Sequence, residues 1–105
     1  MKILFDQGTP VPLRHHLPDH VVDTVFEQSW SAFSNGDLLD VAEAAGYQVL
    51  VTTDQNLRNQ QNLKGRQLAI LVLLSTSWPR IQLQLDELRK IVDAMTAGEY
   101  REVSI

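Results

Sequence analysis

The sequence predicts an α/β fold, a three-layer sandwich around a mostly parallel sheet, and three observations favour it. Short apolar runs rich in β-branched residues alternate with segments of helical periodicity. Residues 68–74 are continuously apolar, as in a central parallel strand that is covered on both faces. The resulting order of alternating strands and helices, with right-handed crossovers, implies helices on both faces of the sheet.

Composition limits the class of protein. The chain has 105 residues, so residues 1–105 are predicted to form one domain with a single core. No apolar stretch approaches the roughly 20 residues that cross a bilayer, and no signal-peptide core follows Lys2, so we expect a cytoplasmic protein without a membrane anchor. The absence of cysteine excludes disulfides, thiolate nucleophiles and zinc–sulfur sites. The net charge of −4 argues against a broadly basic nucleic-acid surface.

The first half of the chain predicts two strands and two helices. Residues 2–5 form the first strand, which runs directly into Asp6. Prolines then introduce a short helix, and residues 21–25 form the second strand. Ser34 and the acid three residues later resemble a capping box at the start of a helix, and Gly46 fits the left-handed position after its end.

The second half predicts two further buried strands, a short helix, a long helix and an edge strand. The run Val49–Val51 is a strand that ends in threonines and Asp54. A polar stretch that ends near Gly65 is a short helix. Pro79 opens one long helix, whose apolar residues recur at spacings of three and four, and residues 100–105 form an edge strand.

Three aspartates are predicted to share one edge of the sheet. Asp6 and Asp54 follow the first and third strands, and they meet if these strands are parallel neighbours. Asp37 lies in the first turn of a helix that runs back from the same edge. Three carboxylates facing one crevice need a counter-charge, and Mg²⁺ or Mn²⁺ is the usual one. Such a cation activates water and screens a phosphodiester, so the constellation predicts metal-assisted phosphodiester hydrolysis.

Each of these polar residues also has a purely structural explanation. Asp37 can stabilise a helix N-terminus through the macrodipole, and Asp54 can cap the short helix that follows it, with Asn56 in a solvated loop. Arg14 and Arg58 fall beside the predicted crevice, where they can hold RNA phosphate or be ordinary exposed charges. The three histidines are interpreted as surface residues rather than a metal site.

Three segments carry a resemblance to a known family. They read K-I-L-F-D-Q-G-T-P, S-N-G-D-L-L-D-V-A-E-A-A-G-Y-Q-V-L-V-T-T-D-Q-N-L and N-L-K-G-R-Q-L-A-I-L-V-L. Together they resemble the small PIN-like proteins of bacteria, a family related to PIN-domain ribonucleases. The resemblance implies a PIN-like fold and Mg²⁺- or Mn²⁺-dependent RNA cleavage by Asp6, Asp37 and Asp54. It also implies a toxin encoded beside an antitoxin that has a DNA-binding helix-turn-helix. Separately from the resemblance, Asn56, Arg14 and Arg58 are predicted to bind the RNA substrate.

The sequence departs from this family after the first aspartate. Relatives commonly read D-E-N there, whereas this chain has Asp6-Gln7-Gly8. The departure keeps a second interpretation open, a catalytically silent PIN-like module that binds a partner through the same crevice. A third is a phosphoacceptor receiver domain, which also has an aspartate after its third strand. That class needs an acid pair after strand one and a lysine after strand five, and the chain has neither. A homodimer is a further expected assembly.

Overall fold

A five-stranded, fully parallel sheet forms the centre of the computed structural model, which describes residues 1–105. Its strands are β1 Lys2–Phe5, β2 Val21–Thr24, β3 Val49–Thr52, β4 Ala69–Leu73 and β5 Tyr100–Val103. They lie in the order β2-β1-β3-β4-β5, and each neighbouring pair is parallel. The predicted α/β class is therefore confirmed, and β1 and β3 are parallel neighbours, which is the condition for Asp6 and Asp54 to share an edge.

Helical segments connect the strands. They are a 3-10 helix at Val11–His16, then α1 Asn35–Ala44, α2 Leu57–Gln60, α3 Trp78–Ile81, a second 3-10 helix at Gln82–Gln84, and α4 Leu85–Ala94. None of these helices has the length and hydrophobicity needed to cross a bilayer.

The start and end of α1 confirm the predicted capping. The Ser34 hydroxyl accepts a hydrogen bond from the backbone N–H of Asp37 at 3.3 Å. Gly46 follows the helix with a φ of +85°, a conformation that costs glycine little because it has no Cβ. The turn after Gly46 then leads the chain into β3.

The prediction of one long helix from Pro79 onwards is wrong. The backbone leaves helical geometry at Gln84, where φ is −126° and ψ is 22°, and this divides the segment into α3, a 3-10 turn and α4. The segment Gln82–Gln84 contains neither proline nor glycine, so the break has no marker in the sequence. Leu83, in the 3-10 turn, is 85% exposed.

The buried side chains form two clusters, one on each face of the sheet. Alternate residues of β1 point to opposite faces, so Ile3 and Phe5 join one cluster while Leu4 joins the other. The first cluster includes residues of α4 and the second includes residues of α1 and α2. All five residues of β4 are buried, as the continuous apolar run predicts.

Two leucine truncations test which packing stabilises the fold. Leu39 in α1 is fully buried, so Leu39→Ala leaves a cavity and should lower the free energy of unfolding by about 2–5 kcal/mol. The same truncation at the exposed Leu83 should change it by less than about 0.5 kcal/mol. Urea denaturation of both variants measures the difference. Equal losses would contradict the packing of α1 on the sheet.

Candidate functional site

The pairing of β1 with β3 brings two predicted acids to one edge of the sheet. Phe5 lies opposite Val51 in the parallel register, and the Asp6 N–H donates to the Val51 carbonyl at 2.9 Å. Asp6 and Asp54 therefore follow neighbouring strands at their carboxyl ends. The strand order changes direction at this point, with β2 on one side of β1 and β3 on the other. Crevices outside such a point are where open parallel sheets bind ligands.

The hydroxyl of Thr52 joins the two halves of this edge. Thr52 is fully buried, and its Oγ1 donates to Asp6 Oδ2 at 2.8 Å. The same oxygen accepts a hydrogen bond from the Asp54 backbone N–H at 3.1 Å. The Thr52 hydroxyl thus connects the Asp6 carboxylate to the Asp54 backbone. The loops after β1 and β3 are both held by this one side chain.

Both aspartates line a cavity of about 280 Å³ at this edge. It is lined by Asp6, Gln7, Gly8, Val25, Trp30, Ser31, Phe33, Asn35, Leu38, Thr53 and Asp54. Two carboxylates and several amide and hydroxyl groups therefore face the same space, and no lysine, arginine or histidine lines it. A cavity with this lining attracts cations rather than anions.

Asn35 orients the Asp54 carboxylate, a role that the sequence did not reveal. Its side-chain Nδ2 donates to Asp54 Oδ2 and to Gln60 Oε1, both at 3.2 Å. The backbone N–H of Asn56 donates to the other oxygen of Asp54 at 3.0 Å. Residues 55–62, after β3, are rich in asparagine and glutamine. One of them, Gln60, has a structural role, because it accepts a hydrogen bond from the asparagine that holds Asp54 in place.

Asp37 lies outside this cavity. It is exposed in the first turn of α1, whereas Asn35 and Leu38, three residues apart on one face of that helix, line the cavity. The structure thus brings Asp6 and Asp54 together and places Asp37 on another side of α1. No group of three or more histidine, aspartate or glutamate side chains is arranged to hold a metal ion.

None of the three predicted RNA contacts, Asn56, Arg14 and Arg58, lines this cavity. Arg14 donates through Nη1 to both carboxylate oxygens of Glu27, at 2.8 and 3.1 Å. The Arg58 guanidinium lies over the Tyr100 ring, 5.2 Å from its centroid. Burial, and then a hydrogen bond to Glu102, raise the pKa of the Tyr100 phenol. Asn56 contributes its backbone N–H to the site, as described above.

Aromatic side chains form one wall of the cavity. Trp30 is half-buried and packs edge-to-face against Tyr47, with ring centroids 5.9 Å apart. Phe33 is 44% exposed, so part of its ring remains accessible to solvent. Both aromatics lie in the loop between β2 and α1. Of the two, Trp30 is the one fixed by packing.

Gly8 allows the loop after β1 to approach the loop after β3. A Cβ at this position would overlap with the Thr53 hydroxyl and would lie 3.5 Å from the Thr53 Cβ. Any larger side chain must therefore displace Thr53. Gly8 thus lies at a close approach between the two loops that carry the acids.

A double-mutant cycle tests this close approach. Gly8→Ala should lower the free energy of unfolding by about 1 kcal/mol, because Thr53 must leave its rotamer. In a Thr53→Ala background the hydroxyl is gone and the same change should cost little, whereas in a Thr53→Val background a methyl group keeps the overlap. Thermal unfolding of the three pairs measures the coupling. An equal cost in all backgrounds would refute the contact.

Comparisons of the chain with protein families, curated proteins and solved structures found no match. The site is therefore interpreted from its own geometry and chemistry.

Proposed function

We propose that the cavity at the ends of β1 and β3 binds Mg²⁺ or Mn²⁺ and that the protein is a metal-dependent ribonuclease. The observation that carries the proposal is that Asp6 and Asp54 line one cavity with no basic residue. An RNA phosphate can approach two carboxylates only if a cation accompanies it. The proposal includes the PIN-like, three-layer fold that the sequence predicts, and the two core clusters on opposite faces of the sheet support it.

The side chains of the cavity fit a hard cation. Carboxylate and amide oxygens are the ligands that Mg²⁺ prefers, and it commonly uses one or two protein carboxylates together with substrate phosphates and water. Each oxygen of Asp6 and of Asp54 accepts a single hydrogen bond, so lone pairs remain for a metal. The amide oxygen of Gln7 is a further candidate ligand. A third carboxylate is not required for this mode of binding.

The residues of this chain would contribute by fixing the two acids. Thr52 holds Asp6 through its hydroxyl, while Asn35 and the backbone of Asn56 hold both oxygens of Asp54. Such outer hydrogen bonds orient metal ligands and strengthen binding. A bound cation would lower the pKa of a water molecule and stabilise negative charge on the phosphodiester. Arg14 lines a neighbouring cavity and is proposed as a contact for RNA, and Arg58 is proposed as a more distant contact from the sequence prediction alone.

The biological setting is proposed from the family resemblance. It comprises a toxin that forms a homodimer and a cognate antitoxin with a helix-turn-helix. The alternative within the same family is a silent binding module, which is supported by Gln7 at a position where relatives carry an acid. Metal binding and RNA cleavage separate these two functions.

A second candidate function is that of a phosphoacceptor. The strand order 2-1-3-4-5 is also that of flavodoxin-like doubly wound sheets, the class to which receiver domains belong. Asp54 follows β3, as a receiver's phosphorylated aspartate does. Against this function, Asp6 is followed by Gln7 rather than a second acid.

Removal of one carboxylate tests metal binding. Mn²⁺ at 100 times its dissociation constant should stabilise the wild type by about 2.7 kcal/mol, because it binds only the folded state. Asp54→Asn should abolish that stabilisation and RNA cleavage while it preserves the fold, since asparagine still accepts the Asn56 N–H. Thermal unfolding with titrated Mn²⁺ measures the first effect, and a gel assay measures the second.

Asp37→Asn is the matched control for this experiment. It removes the same charge from an exposed position outside the cavity, so most of the Mn²⁺ stabilisation should remain. Equal and flat Mn²⁺ responses in the wild type and Asp54→Asn, together with no metal-dependent cleavage, would refute the nuclease and favour a silent module. A loss in Asp37→Asn as large as that in Asp54→Asn would show that the third acid also binds.

Incubation with a small phosphodonor tests the second candidate. Intact-mass spectrometry after incubation with acetyl phosphate and Mg²⁺ should find no added phosphoryl group. The Asp54→Asn variant provides the blank for modification at other positions. An acyl phosphate on Asp54 in the wild type would replace the nuclease proposal with a phosphoacceptor.

A further inference from the structure

A second cavity, of about 580 Å³, adjoins the first. It is lined by Phe5, Asp6, Gln7, Thr9, Val11, Arg14, Thr24, Val25, Phe26 and Glu27. Asp6, Gln7 and Val25 line both cavities, so the two spaces share a wall. The two cavities are therefore neighbours on the protein surface, with Asp6 and Gln7 at the border of both.

An exposed aromatic ring forms the outer part of the second cavity. Phe26 is 80% exposed and Val11 is 44% exposed, whereas Phe5 and Val25 are almost fully buried beneath them. The turn that carries Phe26 is hydrogen-bonded, with the Gln28 N–H donating to the Thr24 carbonyl at 3.1 Å and the Ser29 N–H donating to the Phe26 carbonyl at 3.0 Å. The ring is therefore presented to solvent by a fixed turn.

A donor and an acceptor lie side by side in the same cavity. Glu27 Oε1 accepts from Arg14 and from the Thr24 backbone N–H at 2.9 Å. That backbone hydrogen bond and then Arg14 lower the pKa of the Glu27 carboxyl, so the side chain remains an ionised acceptor. Arg14 uses only Nη1 in its bonds to Glu27 and Val22, which leaves its other guanidinium N–H groups as donors.

We infer that the second cavity seats an unpaired nucleobase of an RNA strand whose phosphate lies at Asp6 and Asp54. The inference rests on the proposed ribonuclease function and adds to it a seat for one base of the substrate. Phe26 would stack on the face of the base, and Arg14 and Glu27 would contact its edge, which carries both donors and acceptors. A base within a duplex offers no free face to such a ring, so the site selects single strands.

An exposed ring together with a hydrogen-bond donor and acceptor favours a nucleobase over a protein side chain as the occupant of the second cavity. An exposed aromatic ring alone fits either, but a fixed donor beside a fixed acceptor matches the edge of a base. The shared Asp6–Gln7 wall also places this seat beside the proposed phosphate site, and every base in RNA is attached to a phosphate chain. The cavity volume is within the range of small-molecule sites, roughly 300–1,000 Å³.

Direct RNA binding tests the inference separately from cleavage. The affinity of a short, labelled single-stranded RNA is measured by fluorescence anisotropy, both with Mn²⁺ and with a chelator. Phe26→Ala should weaken binding about tenfold, and Phe26→Trp should retain it, because stacking needs an aromatic face. Leu83→Ala is the control. It removes a similarly exposed apolar side chain from the 3-10 turn between α3 and α4 and should leave the affinity unchanged.

Abasic RNA completes a double-mutant cycle. The base is removed at each position of the oligonucleotide in turn. One of these abasic RNAs should bind the wild type about tenfold more weakly and should be insensitive to Phe26→Ala, because both changes remove the same stacking contact. The remaining positions should still show the full Phe26 effect.

The outcomes separate this inference from the nuclease proposal. Phe26-dependent RNA binding without any cleavage supports the base seat and refutes only the nuclease. Metal-dependent cleavage with identical RNA affinities for the wild type and Phe26→Ala overturns the base seat alone. Sedimentation could show that Phe26→Ala converts a dimer to a monomer while anisotropy shows unchanged RNA binding. That result would also overturn the base seat and assign the ring to an interface between copies.

Discussion

The hydrogen bonds of one buried hydroxyl hold the site together. Thr52 is the last residue of β3. Its hydroxyl bonds to the Asp6 carboxylate, just after β1, and to the backbone of Asp54, just after β3. Because an unpaired hydroxyl in a closed environment is costly, both loops are drawn to positions that satisfy it. The sheet supplies the edge, and this threonine determines how the two acids meet there.

The sequence reveals those features of the fold that depend on local patterns. The strands before Asp6 and Asp54, the Ser34 cap and the turn at Gly46 all follow from short stretches of chain and were predicted. The break at Gln84 was not, because Ile81, Leu85 and Leu88 keep helical spacing across it. The spacing of apolar residues indicates which of them are buried, but it does not reveal a change of backbone geometry between them.

The site was predictable only in part, for a geometric reason. A residue in the first turn of a helix has a known position along the direction of the strands. The direction of its side chain depends on how the helix is rotated about its axis, and packing determines that rotation. In α1 the burial of Leu38 and Leu39 turns Asn35 toward Asp54 and leaves Asp37 in solvent. Asparagine at this position looks like an ordinary start of a helix, so its bond to Asp54 has no signal in the sequence.

The separation of the two acids along the chain has a kinetic consequence. Thr52 and Asp6 are 46 residues apart, and their hydrogen bond requires β1 to pair with a strand that follows both β2 and α1. Non-local parallel pairings of this kind form late, because a long loop must close before any contact offsets its entropy. If Asp6 and Asp54 held a cation, these ligands would be assembled only near the native state. Bound metal would act chiefly by slowing unfolding, with little effect on the rate at which the chain folds.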